Sequence, residues 1–402
     1  MKVFDLDEKM KNFLEDFDKF IDYLIFNEVT VGKVNKFISA KFLFEINEAM
    51  EQKQENITPK STQLAYPLLH LFCNLSVGGK LFREEVIKGG KLALKPTDRV
   101  EIFKKLNNVE KYITLIEILW VDCNFEKLKY QTYDDISVHS VMRVLNDISS
   151  SKPNQVMDIN ISRRYFSTIL LYFSYFGIMS IKENKEEELK GDVRSFNPAE
   201  IVVSPIGLKI IKILNKQRVL EQWNIQQRRE YGEWKIDFKE EFYVPFKKVF
   251  KTEELKNTLP RGCNKFRDGI YTFKVYIDKN TWSKIKLDAK HTLHDLHMYI
   301  QEAFQFDNDH MYSFFMDGRA WSNNKFTCPY DDEGPHADEV EIGELELNEK
   351  QSFLYLFDYG DEWRFRVDVY DIEKTEVKLL KPQIIEKKGE PPEQYPDFDD
   401  EW

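Results

Sequence analysis

The 402-residue sequence predicts an α+β protein whose first part is mostly helical and whose last part combines strands with a helix. Three observations support this prediction. Apolar residues recur at helical spacing through much of the first 260 residues, and two stretches of that part repeat one order of helices and strands. From residue 271 onward, apolar and polar residues alternate in several short runs, as they do in half-buried strands.

The chain opens with a predicted amphipathic helix over residues 6–26, in which Phe17, Ile21 and Leu24 fall on one face. A second helical run covers residues 34–50, and a polar linker follows it.

Two later stretches, residues 66–106 and 165–214, share one layout. In each, an apolar helix ends near a glycine, two strands flank a charged loop, and a capping residue opens another helix. This order is typical of a winged-helix unit, so we predict two such units in tandem. We expect Gly78 and Gly177 to cap their helices at positive φ.

The helices after the loops have good capping residues in Thr97 or Asp98 and in Ser204, which Pro205 follows at the first helical position. An apolar helix over residues 109–121 joins the two units.

We expect three parts in all. Residues 1–150 form a helical region with the first winged-helix-like unit. Residues 151–260 form the second unit and a connecting helix that begins near residue 221. Residues 261–402 form an α+β domain with a β-hairpin, a helix and further antiparallel strands.

The net charge of −11 is unevenly distributed. The first 260 residues hold 40 Lys and Arg against 38 Asp and Glu, whereas the remainder holds 18 against 31. Nucleic acid is therefore expected only at the first part, because phosphate contacts need local positive charge. The candidate phosphate contacts are Lys88, Lys91, Arg163, Arg164, Arg228 and Arg229. Because these faces are poor in arginine, winged-helix units that bind a protein partner are the alternative.

Four widely spaced cysteines, Cys73, Cys123, Cys263 and Cys328, form no C-x-x-C pair and are expected to be free thiols. The sequence has no apolar run long enough to cross a bilayer, and its charged first ten residues do not resemble a secretory signal. We therefore expect a cytoplasmic protein with no membrane contact.

The last part begins with a predicted hairpin, strands 272–277 and 283–287. Thr292 then caps a helix, with Asp295 in the position of a capping box. The buried face of this helix is predicted to carry Leu293, Leu296, Ile300, Ala303 and Phe304.

Five of the seven histidines lie between His291 and His336. His291 and His297 point about 120° apart on a helical wheel, so they do not form a metal site by themselves. A hydrogen-bonded core histidine is the simpler interpretation of His297. Metal binding through His297, His310 and a carboxylate stays open.

The segment 357–363 packs three carboxylates, a glycine and three aromatic residues between two predicted strands. We expect Gly360 to take positive φ in a tight turn, with Asp358 and Asp361 bonding local backbone N–H groups. Phe357 and Trp363 should then enter the core. The other interpretation of this segment is the rim of a site.

Several of these residues stand in four ordered motifs besides a lone tryptophan, at residues 292–304, 310–314, 357–363 and 389–393. The signature positions are Trp282, Leu296, His297, Phe304, His310, Asp358, Gly360, Asp361, Trp363, Pro391, Pro392 and Glu393. Together they resemble the plasmid pRiA4b ORF-3-like family, whose members also occur as passenger proteins of insertion elements. The resemblance implies an α+β domain associated with plasmids and mobile elements, without a settled activity.

The chain departs from the family pattern at two places. Phe365 stands two residues after Trp363, where the family usually has a histidine. The family's cysteine and paired glycines around the P-P-E segment are also missing. A metal or catalytic site that needed these groups would be incomplete, which favours a protein that is not an enzyme.

The leading hypothesis is a non-enzymatic accessory or regulatory protein of plasmids or mobile elements that binds DNA or a protein partner through its winged-helix half. The second is a metal-assisted hydrolase with Asp358, Asp361, His297 and His310, joined by Glu393. The third is an interaction module that uses aromatic residues around Trp321 and Trp363. No cofactor is expected, apart from the divalent metal of the second hypothesis.

Overall fold

The computed structural model describes residues 4–131, 134–158, 167–183, 196, 198–251, 253–261, 266–375 and 377–395. The chain forms two compact units, and each is described by itself. Unit 1 comprises Met1–Gln227 and Asp237–Pro260, and unit 2 comprises Arg228–Ile236 and Arg261–Trp402. Helices dominate the first half and antiparallel strands the last part, so the predicted α+β class is confirmed. Within the described ranges, no helix is long and apolar enough to span a bilayer.

The elements before residue 260 are mostly helices. The helices are α1 (Glu8–Phe26), α2 (Ala40–Ala49), α3 (Pro67–Gly78), α4 (Asp98–Lys105), α5 (Asn108–Glu117), α6 (Phe125–Leu128), α7 (Val138–Ser149), α8 (Ser167–Tyr175), α9 (Pro205–Lys216), α10 (Leu220–Trp223) and α11 (Ile225–Glu230). The strands are β1 (Thr30–Val31), β2 (Phe82–Ile87), β3 (Lys91–Pro96), β4 (Val156–Asp158), β5 (Met179–Glu183) and β6 (Pro198–Val203).

Helix α1 forms because its apolar residues recur at helical spacing and Asp7 caps its first turn by accepting a hydrogen bond from the Met10 amide. Its buried side includes Phe13, Phe17 and Phe20, and all three rings contact Phe72 of α3. One continuous apolar core therefore runs through unit 1.

The first three-stranded sheet has the order β1-β3-β2 and is antiparallel throughout. The prediction for Gly78 is wrong, because the residue with positive φ after α3 is Lys80, at 53°. The glycines serve close packing instead. A Cβ on Gly79 would lie 2.5 Å from Ile118 Cδ1 and 3.0 Å from the Leu75 carbonyl oxygen, so a side chain there would require the neighbours to shift.

The second three-stranded sheet has the corresponding order β4-β6-β5. Gly177 follows α8 at φ 72°, as predicted, and Ser204 caps α9 by accepting a hydrogen bond from the Gly207 amide. The loop between β5 and β6 lies mostly outside the described residues. The predicted connecting helix after residue 220 is two short helices, α10 and α11.

Unit 2 contains a seven-stranded antiparallel sheet with the order β10-β9-β11-β12-β7-β8-β13. The strands are β7 (Ile270–Tyr276), β8 (Trp282–Asp288), β9 (Tyr312–Phe315), β10 (Lys325–Thr327), β11 (Ser352–Phe357), β12 (Trp363–Glu373) and β13 (Gln383–Lys388). The helix α12 (Leu293–Phe304) packs on one face of this sheet. The predicted β7–β8 hairpin is present, whereas the predicted loop over 321–336 contains β10.

The sequence patterns account well for α12. Thr292 and Asp295 form the predicted capping box, since each side chain bonds the backbone N–H of the other. The five residues predicted for its core face are buried. They pack against the alternate residues of β7, β8, β11 and β12 that point to the same side.

Cys73, Cys123 and Cys328 are free thiols in buried positions. Cys263 lies outside the described residues. Burial raises the pKa of the Cys73 and Cys123 thiols, so both stay protonated near neutral pH.

Candidate functional site

Most residues of the two helices that precede the hairpin loops of unit 1 are buried. Eight of the twelve residues of α3 and seven of the nine residues of α8 are buried. Helix α3 packs against α1, α6 and α8. In a winged-helix protein that reads DNA, this helix must present side chains to the major groove. Here most of its side chains form part of the core instead.

The candidate phosphate contacts fall in different surroundings. Lys88 and Lys91 are exposed at the tip of the β2–β3 hairpin. Arg228 forms an ion pair with Glu233, and the Arg229 guanidinium lies 4.5 Å from the ring centroid of Trp234. Both arginines belong to unit 2. Arg163 and Arg164 lie outside the described residues.

The turn between β11 and β12 adopts a different conformation from the predicted one. Positive φ falls on Asp358, at 57°, and on Glu362, at 51°, but not on Gly360. The prediction for Gly360 was therefore wrong. Asp358 stabilises the turn through its side chain, whose Oδ1 accepts a hydrogen bond of 2.8 Å from the Gly360 amide. Asn and Asp tolerate this left-handed region because their short polar side chains bond the local backbone.

The core contributions of the turn follow the prediction in part. Phe357 is fully buried. Trp363 is only half-buried at the edge of the core, where its ring packs 5.0 Å from that of Phe306. Asp361 is exposed. Trp321 is also exposed, and its indole N–H donates to Glu362 at 3.0 Å.

One polar cluster does form beside this turn. His310 Nε2 lies 3.4 Å from Asp358 Oδ2, 3.8 Å from Asp309 Oδ1 and 3.1 Å from the Tyr395 hydroxyl. The Tyr395 hydroxyl donates to Asp309 at 2.7 Å, which lowers the pKa of Asp309 and raises the pKa of Tyr395 to about 12. The structure thus brings together His310 and Asp358, as the hydrolase hypothesis requires.

The segment after Pro391 and Pro392 closes this cluster. Gln394 is buried, and its Oε1 accepts a 2.5 Å hydrogen bond from the Asp307 amide. Its amide nitrogen donates to the Asp307 carbonyl at 3.2 Å and to Asp309 at 3.3 Å. Glu393 is exposed. These hydrogen bonds of Gln394 hold residues 391–395, which we call the closing segment, against residues 307–309.

His297 is buried on the inner side of the sheet and both of its ring nitrogens have partners. Nδ1 lies 2.7 Å from the Tyr355 hydroxyl and Nε2 lies 2.8 Å from Asn308 Oδ1. The ring stacks on Tyr312 with centroids 3.7 Å apart and planes 8° apart. Burial, with a smaller effect of His294, lowers the pKa of His297 to about 3.

The bonding partners define one arrangement of protons around His297. Asn308 Oδ1 can only accept, so the neutral imidazole carries its hydrogen on Nε2. Nδ1 then accepts from the Tyr355 hydroxyl, which accepts in turn from the Gln301 amide at 2.7 Å. His297 therefore has the predicted role of a hydrogen-bonded core histidine.

These contacts limit the chemistry of the polar cluster. Within the described residues, no group of three or more His, Cys, Asp or Glu side chains is arranged to hold a metal ion. The contacts of His310 go to Tyr395, Asp309 and Asp358, and none that the structure describes goes to a serine, threonine or cysteine. Among the described residues, the polar partners of His310 are therefore two carboxylates and a phenol hydroxyl.

Sequence reasoning did not identify the partners that define these two networks. Tyr355 and Asn308 bind His297, while Gln394 and Tyr395 bind the loop at 307–309. The only available signal was indirect. Tyr355 alternates with Phe353 and Phe357 on β11, which places a polar hydroxyl on a core face that must find a partner.

A helix that packs on an antiparallel sheet, with a carboxylate-rich turn at the sheet's edge, defines unit 2 as an α+β domain of the predicted kind. Residues 270–399 match the family model described as Plasmid pRiA4b ORF-3-like protein. The resemblance inferred from the sequence is therefore confirmed for this part of the chain.

Part of the chain is similar to a solved structure. It is described as a protein of unknown function from Methanosarcina mazei Go1, is 20% identical, and matches over 31% of this chain and 72% of its own. Its TM-score of 0.27 is too low to support an argument about fold or function. The comparison with curated proteins found no match.

Proposed function

We propose that this chain is a non-enzymatic binding protein whose first 260 residues recognise a protein partner and do not read DNA sequence. The observation that carries the proposal is the burial of α3 and α8, described above. A helix whose side chains fill the core cannot donate hydrogen bonds to base edges unless the unit opens. Units with this predicted winged-helix layout can still present their hairpins and loops to another protein.

The β2–β3 hairpin is the surface that we assign to the partner. Val86 and Leu92 face each other across the two strands, and Val86 is 51% exposed. Lys88 and Lys91 lie beside this apolar pair. An apolar centre with a charged rim is typical of protein interfaces.

DNA phosphate contact through this hairpin is the second candidate. The described side chains place no ion pair within 4 Å of Lys88 or Lys91, so two ammonium groups are open to phosphate. Two such contacts predict a slope of about −2 in a log–log plot of affinity against salt. Proteins that read duplex sequence make several more phosphate contacts than these two.

A photo-reactive amino acid at position 88 tests the proposal in cells of the native host. We expect one discrete protein adduct, and none from the same probe at Lys41, whose exposed side chain lies on α2. Attachment to DNA, or the absence of any adduct from position 88, would overturn the proposal.

Duplex binding by the purified chain gives a second readout. Fluorescence anisotropy with a random-sequence duplex pool should show weak binding with a salt slope no steeper than about −2. Enrichment of one sequence motif from that pool, with tight binding at physiological salt, would instead establish a DNA reader.

We extend the proposal to an accessory role on a plasmid or mobile element, because the matched family is described by a plasmid gene product. Deletion of the gene should then change the maintenance or transfer of the element that carries it. Unchanged maintenance and transfer would remove this extension and leave the partner proposal standing.

A further inference from the structure

The sheet of unit 2 has an outer face opposite α12, over four adjacent strands β12, β7, β8 and β13. Phe365, Val367 and Val369 of β12 point into the core, so the residues between them point outward. The same alternation holds in β7 and β8. Outward residues that are paired across the four strands form rows. We use the name outer sheet face for two neighbouring rows of this kind.

The strand register places the outer residues in two rows. The first row reads Arg366, Tyr276, Trp282 and Lys388 from β12 to β13, and the second row reads Asp368, Lys274, Lys284 and Glu386. Two aromatic rings thus stand side by side between two cations. Directly paired residues on neighbouring strands have Cβ atoms about 5 Å apart, so all of these side chains are within reach of their neighbours.

The charge of this face is opposite to that of its surroundings. It holds four Lys and Arg residues and two acidic residues, in a part of the chain with 18 basic and 31 acidic residues. Arg366 pairs with Asp368 at 2.7 Å, and Lys284 pairs with Glu386 at 2.7 Å. Among the described contacts, no ion pair involves Lys274 or Lys388.

The unpaired cation at the centre lies against the aromatic rings. Lys274 Nζ lies 3.6 Å from the ring centroid of Trp282 and 4.9 Å from that of Tyr276. Lys274, Tyr276 and Trp282 are half-buried, so each ring keeps part of its surface open to solvent. A stacking group of a ligand can therefore compete with the ammonium for the ring face. The displaced ammonium would then be free to bind an anionic group of the same ligand.

We propose that the outer sheet face binds single-stranded nucleic acid. Its bases would stack on Trp282 and Tyr276, while its phosphates would bind Lys274 and Lys388. Single strands offer unpaired planar bases and regularly spaced negative charges, which match this alternation of rings and cations. An acidic peptide would supply the charges but no planar groups for both rings, and a duplex keeps its bases stacked inside.

This inference concerns a different unit from the proposed partner site on the β2–β3 hairpin, so neither depends on the other. Substitutions on the outer sheet face leave the hairpin residues unchanged. A loss of nucleic-acid binding with an intact crosslink from position 88, or the reverse, separates the two.

The test uses the full chain and four labelled probes in anisotropy titrations at 50 and 200 mM salt: a DNA 12-mer, an RNA 12-mer, the matching duplex and a 12-residue polyglutamate peptide. We expect one or both single strands to bind at least tenfold more tightly than the duplex and the peptide. The Trp282→Leu/Tyr276→Leu variant, which keeps apolar strand residues, should lose at least tenfold in affinity.

The charges are tested by Lys274→Gln/Lys388→Gln, which should reduce the log–log salt slope by about 1.4. Tyr231→Leu and Lys290→Gln are the matched controls, because both are exposed residues of unit 2 outside the face. Circular dichroism and thermal unfolding establish that each variant is folded. The proposal is overturned if no single strand binds at 50 mM salt, if the peptide binds equally well, or if the double leucine variant binds like the wild type.

Discussion

At the scale of single residues, Gly207 has a requirement that its surroundings impose. It lies in the first turn of α9, and a Cβ at this position would lie 1.9 Å from the carbonyl oxygen of Ile178. Replacing glycine by alanine in a helix normally stabilises it by about 1 kcal/mol. Here the added methyl group would collide with backbone that cannot move aside.

We therefore predict that Gly207→Ala destabilises unit 1 by about 3 kcal/mol, in line with the cost of overpacking a rigid contact. Urea unfolding of the full chain measures the change. Lys212→Ala, at an exposed position of the same helix, should change stability by less than about 0.5 kcal/mol. Equal stability of the two variants would mean that α9 can shift away from Ile178.

A second prediction at this scale concerns the two buried histidines. Burial lowers the pKa of His297 to about 3 and that of His70 to about 4, whereas an unfolded histidine titrates near 6.5. Between these values the unfolded chain binds more protons than the folded one. The stabilising contribution is therefore complete above about pH 6.5 and is lost as the pH falls toward 3.

Each histidine should contribute a slope of about 1.4 kcal/mol per pH unit below its unfolded pKa. Urea unfolding between pH 5.0 and 6.5 checks this window, in which most carboxylates remain ionised. His297→Gln should flatten the slope of unit 2, and His70→Gln that of unit 1. If His297→Gln leaves the pH dependence of unit 2 unchanged, the imidazole is not held neutral in the folded protein.

The residue scale also marks a limit of sequence reasoning. The capping box of Thr292 and Asp295 was predictable, because the motif is local and its geometry is fixed. The sequence did not predict that Asp358, and not Gly360, takes positive φ. Both residue types tolerate that region, and the decision depends on the Asp358 amide bonding the Met311 carbonyl of the neighbouring strand.

At the scale of elements, two side chains, Gln394 and Tyr395, attach the closing segment to residues 307–310. Gln394 forms hydrogen bonds to the backbone of Asp307 and to the side chain of Asp309, and the segment before it carries the exposed Glu393. Among the described residues 391–395, no apolar side chain is buried, since Pro392 and Tyr395 are exposed and Pro391 is only half-buried. Of the two attaching side chains, Gln394 bonds the backbone of Asp307, so the protection of the Asp307 amide should follow its side chain.

We predict that Gln394→Ala increases the hydrogen-exchange rate of the Asp307 amide about tenfold or more, because its acceptor is removed and a buried hydrogen bond contributes about 1 kcal/mol or somewhat more. Glu393→Ala is the control and should leave that rate unchanged. Unaltered exchange in Gln394→Ala would show that the Asp307 amide is protected by other contacts.

The sequence predicted most helices and strands correctly. It did not predict which faces of the helices are exposed to solvent. The apolar composition of α3 and α8 predicted helices, and both formed. The same composition was compatible with a helix that has one exposed reading face. Helices α1, α6 and α8 cover α3. Because they are distant from α3 in sequence, the burial of α3 depends on tertiary packing.

At the scale of the whole molecule, strand register decides which charged and aromatic side chains become neighbours. The total charge of a part of the chain does not show this. The last part of the chain is strongly acidic, which argued against contact with nucleic acid. Alternation and antiparallel register nevertheless place Lys274 beside Lys284, and Tyr276 beside Trp282. Reading that face from the sequence would have required the order of strands β12, β7, β8 and β13, which joins residues about 100 positions apart.

A short segment before residue 261 belongs to unit 2. Arg228–Ile236 belongs to unit 2, although Asp237–Pro260 returns to unit 1. The contacts of Arg228–Ile236 within unit 2 include Trp234, whose ring packs against Phe326 at 4.9 Å with the Arg229 guanidinium over it, and Lys235, whose Nζ lies 3.5 Å from Glu344 Oε1. Unit 2 therefore includes a segment that precedes residue 261.

We predict that a fragment of residues 228–402 has a higher thermal midpoint than a fragment of residues 261–402, because the shorter one exposes Phe326. In the full chain, Trp234→Ala should destabilise unit 2 by about 1–2 kcal/mol, less than for a fully buried tryptophan because Trp234 is half-buried. Tyr231→Ala, at a residue that is 77% exposed, is the matched control and should have little effect. Calorimetry measures the fragments and urea unfolding the variants. Equal midpoints for the two fragments, together with a silent Trp234→Ala, would show that residues 228–236 only follow unit 2 and do not stabilise it.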